Sequence, residues 1–113
     1  MENASRALSA FLSLENTAMN APCIPVVSNA AAIFLDTVDS IKASLIKQLS
    51  CPVLWEDSIK TIFRSGIKVF IEVGPGKVLS GLVKRIEPAA VTFNVEDMES
   101  LEKTLAGLKR LED

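Results

Sequence analysis

The chain has 113 residues, of which 49% are hydrophobic and 23% charged, a composition typical of one ordinary globular domain and not of a disordered segment. Its formal net charge is −2, and the 12 basic and 14 acidic residues are scattered, so no basic stripe is available for nucleic acid. No apolar stretch approaches the roughly 20 residues that span a bilayer, and the N-terminus lacks a secretory pattern, so we expect no membrane association and a cytoplasmic or organellar-matrix protein.

The first half of the chain is predicted to contain three helices and one strand. Apolar residues at helical spacing predict an opening helix that ends near residues 15–16. A short run rich in β-branched side chains predicts a buried strand at residues 24–28. Asp36 or Thr37 can cap a second helix, and Pro52 separates it from a third. The apolar face of the third helix comprises Trp55, Ile59, Ile62 and Phe63.

The second half alternates strands with helices. Gly66 ends the third helix, residues 69–73 form a buried strand, and a Gly-Pro-Gly turn leads directly into a fourth helix. Residues 91–95 form the next strand, and Asp97 caps a last helix. The fourth helix is predicted to face the core with Val78, Leu79, Leu82, Val83 and Ile86. This alternation predicts an α/β fold in which three parallel strands are covered by helices on both faces.

Four blocks of sequence carry a resemblance to a known family. In order they are IPVVSN at residues 24–29, KQLSCPVLW at 47–55, EVGPGKVLSGLVKRI at 72–86 and VED at 95–97. They resemble the malonyl-CoA:acyl carrier protein transacylases of fatty acid biosynthesis, which are S-malonyltransferases. The resemblance covers essentially the whole chain but only the C-terminal third of such an enzyme. It implies that residues 1–113 are a parallel-stranded βαβ segment of the α/β-hydrolase-like subdomain, without the ferredoxin-like subdomain.

The resemblance also implies a division of chemistry. Members of the family transfer malonyl by a ping-pong route from coenzyme A to a serine, and then to the phosphopantetheine thiol of the carrier protein, with a histidine as general base. This chain contains no histidine, so we expect the serine, the histidine and a malonyl-binding arginine upstream, and we expect this chain to be inactive alone. Cys23 and Cys51 lie far apart, which predicts reduced structural thiols. No cofactor or metal is expected; the substrates are malonyl-CoA and the phosphopantetheinylated carrier protein.

Two residues are candidate site residues. Gln48 matches the family position whose main-chain carbonyl orients the catalytic histidine, whereas from the residues alone it is an ordinary polar residue at a helix end. Asn29 follows the first predicted strand, where open α/β sheets place their ligands, and is a weaker candidate for substrate binding. Ser58 and Ser80 are interpreted as ordinary helix residues.

Several alternatives stay open at this level. The turn at residues 74–77 is either an anion site at a helix N-terminus or a tight turn that packs helix against sheet. Lys84 and Arg85 are candidates for contact with an acidic carrier protein. A stand-alone, non-catalytic binding module that retains the acyltransferase fold is the competing function. Because residues 24–27 and 69–73 carry few charges or prolines, we favour a piece of a larger sheet and predict self-association through its exposed edge.

Overall fold

The structure, a computed structural model, describes residues 2–13 and 19–112, and the chain forms two compact units, Met1–Thr61 and Ile62–Asp113. The elements of the first half are α1 (Glu2–Leu12), β1 (Val26–Val27), β2 (Phe34–Leu35) and α2 (Val38–Gln48). The helix α3 (Trp55–Arg64) leads from the first unit into the second. The remaining elements are β3 (Val69–Val73), α4 (Val78–Ile86), β4 (Val91–Val95) and α5 (Met98–Glu112). Within the described ranges, no helix is both long and apolar enough to cross a membrane.

In the first unit, α2 is the best-specified element. Thr37 adopts an extended conformation at its N-cap, and its hydroxyl oxygen accepts a hydrogen bond from Ser40 N–H at 3.2 Å. The buried Ser44 on this helix shares a 2.6 Å hydrogen bond with Ser28, which fixes the helix against the end of β1. Both helices α1 and α2 were predicted; the predicted end of α1, near residues 15–16, lies outside the described residues.

The first predicted strand differs from the expectation. Instead of a buried parallel strand over residues 24–28, only Val26–Val27 pairs, and it pairs antiparallel with Phe34–Leu35. Ile24 is 77% exposed. Pro25 has no N–H to donate, and a parallel crossover needs a dozen or more residues, whereas the short loop between these strands permits only an antiparallel return. The prediction of three parallel strands is therefore wrong for the described part of the chain, which has two.

The second unit contains the parallel sheet. Strands β3 and β4 pair in parallel from Val69 opposite Val91 to Val73 opposite Val95, and α4 connects them. Gly66 has a φ of 104°, the left-handed conformation that lets α3 end there without a Cβ clash. Asp97 Oδ1 accepts a hydrogen bond from Ser100 N–H at 2.8 Å, which caps α5 as predicted. The expectation of an α/β fold with a parallel sheet is confirmed.

The apolar face of α4 is only partly buried. Val83 is 4% exposed, but Val78 is 74% and Leu79 44% exposed, although all three were expected in the core. Parallel strands lie about 4.8 Å apart, so a sheet of two strands is too narrow to cover both edges of a helix face. The N-terminal turn of α4 therefore carries apolar side chains that the described residues do not bury.

Candidate functional site

The main-chain carbonyl of Gln48 lies at the C-terminus of α2, where the last carbonyls of a helix have no partner within the helix. Its neighbour Lys47 accepts through its carbonyl from both Ser50 N–H and Cys51 N–H, each at 3.1 Å. The donor that would reach Gln48 in a continuing helix belongs to residue 52, which is a proline without N–H. Among the described residues, no hydrogen bond reaches the Gln48 carbonyl oxygen. Within the part of the chain that the structure describes, this oxygen is therefore a free acceptor, with the partial negative charge of a helix C-terminus.

Asn29 lies in the loop between β1 and β2, with an exposed side chain. Its carbonyl accepts a hydrogen bond from Leu54 N–H at 2.8 Å, so the loop contacts the segment that leads from Gln48 to α3. The buried Ser28 hydroxyl accepts from Ala30 N–H at 3.1 Å and fixes the loop. Asn29 was chosen because open parallel sheets bind ligands at the carboxyl ends of their strands. In the described residues β1 pairs only antiparallel, so this reason does not apply to Asn29. A role of Asn29 in substrate binding stays a prediction.

The Gly-Pro-Gly turn and the first turn of α4 are held by carboxylates of the chain itself. Glu72 Oε1 accepts from Ser80 N–H at 2.9 Å and from the Ser80 hydroxyl at 2.8 Å. Glu96 Oε2 accepts from Gly76 N–H at 2.7 Å. The hydrogen bond from Ser80 N–H is the largest cause of a lowered Glu72 pKa, and the Ser80 hydroxyl adds to it. Because these amides already hold anions, the geometry favours the tight-turn interpretation over an external anion at the α4 N-terminus.

The other polar residues considered from the sequence have simple surroundings. The Ser58 hydroxyl donates to Leu54 O at 2.6 Å, just before α3, and the Ser80 hydroxyl donates to Glu72 on β3, so both hydroxyls have structural partners. Lys84 and Arg85 are exposed in the last turn of α4. Cys23 and Cys51 are free thiols, and the described part of the chain contains no cluster of side chains suited to a metal ion.

The sequence analysis did not identify two features of the site. The unpaired Gln48 carbonyl could have been predicted from the spacing of Gln48 and Pro52, because a proline four residues after a helical carbonyl removes its hydrogen-bond donor. The hydrogen bond of Glu96 to the Gly-Pro-Gly turn could not be predicted, because it depends on the register of β3 with β4.

Comparison with known proteins identifies relatives of this chain. No protein-family model matches the chain. The malonyl CoA-acyl carrier protein transacylase of Bacillus subtilis is 43% identical over 90 residues, which are 80% of this chain and 28% of that protein. The crystal structure of a malonyl-CoA:acyl carrier protein transacylase from Xanthomonas oryzae matches 95% of this chain with a TM-score of 0.87 and 33% identity. The chain is homologous to part of the malonyl-CoA:acyl carrier protein transacylases.

The likeness to the transacylases is confined to a fraction of their length. The chain spans 33% of the Xanthomonas oryzae structure and 34% of a further solved structure, in which a malonyl-transacylase is in complex with a type II polyketide synthase acyl-carrier protein. That complex matches 95% of this chain with a TM-score of 0.87. The resemblance stated from the four sequence blocks is thus confirmed at the level of the family.

Proposed function

We propose that this chain is the C-terminal segment of a malonyl-CoA:acyl carrier protein S-malonyltransferase of fatty acid biosynthesis in the cytoplasm. In this proposal residues 1–113 belong to the α/β-hydrolase-like subdomain, and the ferredoxin-like subdomain lies elsewhere in the enzyme. The observation that carries the proposal is the agreement of sequence and fold with transacylases across most of the chain. The parallel β3–α4–β4 unit is the structural element that such a subdomain repeats.

The chemistry proposed for the whole enzyme proceeds in two transfers. A serine oxygen attacks the malonyl thioester carbon, the bond to the coenzyme A sulfur breaks, and a histidine takes the serine proton and returns it to the leaving thiolate. In the second transfer the histidine takes the proton of the phosphopantetheine thiol, the sulfur attacks the carbonyl carbon of the malonyl-serine ester, and the histidine returns the proton to the leaving serine oxygen. A serine hydroxyl is a weak nucleophile until a base takes its proton, and this chain has no histidine. We therefore propose that the chain has no transfer activity by itself.

The proposed contribution of this chain to the reaction is the carbonyl oxygen of Gln48. A general base must hold one ring nitrogen toward the nucleophile, and a hydrogen bond from the other ring N–H fixes that tautomer. An acceptor for this purpose has to be rigid and without another donor. The Gln48 carbonyl supports this role, because it lies at the end of α2 and, among the described residues, accepts no hydrogen bond, and Pro52 cannot donate to it.

The proposed macromolecular partner is the acyl carrier protein. A relative of this chain has been solved in complex with such a protein, which supports the assignment. On this chain, Lys84 and Arg85 are adjacent, exposed and located in the last turn of α4, where a helix C-terminus also favours basic residues. We propose that these two cations contact acidic side chains of the carrier protein and raise the rate of encounter.

The test is a chimeric enzyme. The segment of the Bacillus subtilis transacylase that matches this chain is replaced by the present sequence, and malonyl transfer from malonyl-CoA to a phosphopantetheinylated carrier protein is measured. The controls are the parent enzyme lacking the segment and the present chain alone. Transfer by the chimera above both controls is expected. A folded chimera that binds the carrier protein but transfers no malonyl would instead favour the competing function, a non-catalytic binding module.

A further inference from the structure

Among the described residues of the first unit, Ser28 is the most deeply buried polar residue, at 2% exposure. Its hydroxyl oxygen accepts hydrogen bonds from Ala30 N–H at 3.1 Å and from Ala31 N–H at 3.2 Å. It also shares a 2.6 Å hydrogen bond with the hydroxyl of Ser44, a buried residue of α2. A hydroxyl has one hydrogen and two acceptor positions, and the two amides occupy both acceptor positions. The Ser28 hydroxyl therefore donates its hydrogen to Ser44, and its hydrogen-bonding capacity is complete.

The loop between β1 and β2 is also closed by the backbone of Ser28. Its N–H donates to Ile33 O at 2.9 Å, and its carbonyl accepts from Ala32 N–H at 2.8 Å. Ala32 has a φ of 55°, a conformation that a residue with a Cβ keeps only where its surroundings hold it there. Thr61 on α3 supplies part of this support, because its hydroxyl donates to Ala32 O at 2.8 Å. The loop is thus held both from within and by α3.

The hydrogen bonds of Ser28 hold both ends of the segment that follows Gln48. Ser44 lies one helical turn before Gln48, so its hydrogen bond to Ser28 holds the last part of α2. At the other end of the segment, Leu54 N–H donates to Asn29 O at 2.8 Å. Asn29 lies between Ser28 and the two amides that donate to the Ser28 hydroxyl. One buried hydroxyl therefore links the helix that carries the Gln48 carbonyl to the residue that precedes α3.

We propose that Ser28 is a positioning residue for malonyl transfer, whose hydroxyl holds the Gln48 carbonyl in the direction from which it accepts the ring N–H of the catalytic histidine. This inference rests on the proposed function and adds a residue that acts only through Gln48. Helix ends fray, and hydrogen bonds weaken steeply as their angle closes, so an acceptor at a helix end is effective only if its turn is held. A side chain without a hydroxyl at position 28 leaves the Ala30 and Ala31 amides and the Ser44 hydroxyl without this partner.

The first experiment introduces Ser28→Ala into the Bacillus subtilis chimera. We expect kcat to fall about tenfold, because small displacements of a catalytic group are costly, with KM for malonyl-CoA unchanged. The acid limb of the pH–rate profile should move to lower pH, because a weaker hydrogen bond from the second ring N–H lowers the histidine pKa. The matched control is Ile59→Val, which removes a methylene group from a residue of α3 that is 3% exposed and lowers stability without removing a hydrogen bond. It should leave kcat and the acid limb in place.

The second experiment tests the structural step without the chimera. Amide hydrogen exchange is measured by NMR on the 113-residue chain, labelled with nitrogen-15, and on its Ser28→Ala and Ile59→Val variants. Leu54 N–H, compared with the amides of α3, should exchange at least about tenfold faster in Ser28→Ala, because its acceptor loop is released. In Ile59→Val this ratio should stay as in the unsubstituted chain, because a general loss of stability accelerates all these amides together.

Three outcomes would overturn the proposal. An acid limb that does not move in Ser28→Ala, with kcat reduced no more than in Ile59→Val, limits Ser28 to a structural role. An unchanged exchange ratio for Leu54 shows that the hydroxyl does not hold the segment. A folded chimera that transfers no malonyl overturns the proposed function and the positioning role together, whereas an active chimera whose acid limb is insensitive to Ser28→Ala overturns the positioning role alone.

Discussion

Substitution of Pro52 by alanine tests the proposed role of the Gln48 carbonyl. Alanine restores an N–H four residues after Gln48 and releases the residue before it from the restriction that proline imposes, so α2 can extend by a hydrogen bond to this oxygen. A backbone hydrogen bond contributes about 0.5–1.5 kcal/mol net, and the catalytic histidine would have to displace it. Since about 1.4 kcal/mol is a factor of ten in rate, malonyl transfer by the chimeric enzyme should fall about twofold to tenfold.

The pH dependence separates this effect from a general loss of stability. A carbonyl that accepts the second ring N–H stabilises the protonated imidazole, so losing it lowers the histidine pKa. The acid limb of the pH–rate profile should therefore move to lower pH in Pro52→Ala. The matched control is Pro88→Ala, an exposed proline after α4, which should leave the limb in place. Gln48→Ala should impair transfer only modestly because the carbonyl remains. An unchanged rate and profile in Pro52→Ala, or a loss in Gln48→Ala as large as that of removing the nucleophile, would refute the reasoning.

The remaining predictions concern the second unit. Hydrogen bonds lower the folded-state pKa of Glu72, so the ionised carboxylate stabilises the fold above the ordinary pKa of 4.5, and this stabilisation is lost as pH falls through the lowered pKa. The urea midpoints of Glu72→Gln and of the unsubstituted chain should therefore differ at neutral pH and converge in acid. A difference that stays constant with pH contradicts this prediction. Gly107→Ala drives a methyl into an aromatic ring and should lower the free energy of unfolding by about 1–3 kcal/mol, whereas Gly81→Ala meets nothing within 4 Å and should raise it by about 0.5–1 kcal/mol; equal effects refute the packing. Replacing Lys84 and Arg85 by alanine in the chimera should raise KM for the carrier protein several-fold and leave KM for malonyl-CoA unchanged, and the reverse pattern counts against the docking role.

Local signals in the sequence determined most of the helices and both strands of the parallel sheet. The Thr37 cap, the left-handed Gly66 and the Asp97 cap are short-range chemistry, and the structure has all three where they were predicted. The prediction of a parallel strand at residues 24–28 was wrong because the pairing depends on the loop that follows, and the β-branched residues do not indicate which strand is the partner. Helical periodicity also could not predict that Val78 is exposed, because it identifies the apolar face of a helix but not the width of the sheet that the face packs on.

The candidate site divides in a similar way. Gln48 was selected by the family resemblance, and the sequence alone would have left it as a polar helix end. The freedom of its carbonyl follows from Pro52 by elementary helix geometry, once the end of α2 is known. By contrast, the close approach of the Phe93 ring to Gly107 depends on how α5 packs on β4, and no pattern in the sequence predicts that contact.

The central claim is that this sequence can supply the C-terminal part of a working transacylase. The most direct measurement is the rate of malonyl transfer to the carrier protein by the Bacillus subtilis chimera, compared with the same parent enzyme lacking the replaced segment. The account predicts transfer by the chimera that saturates with malonyl-CoA and with carrier protein, and none by the truncated parent or by the present chain alone. A folded chimera with no more transfer than the truncated parent, or transfer by the present chain alone, would contradict it.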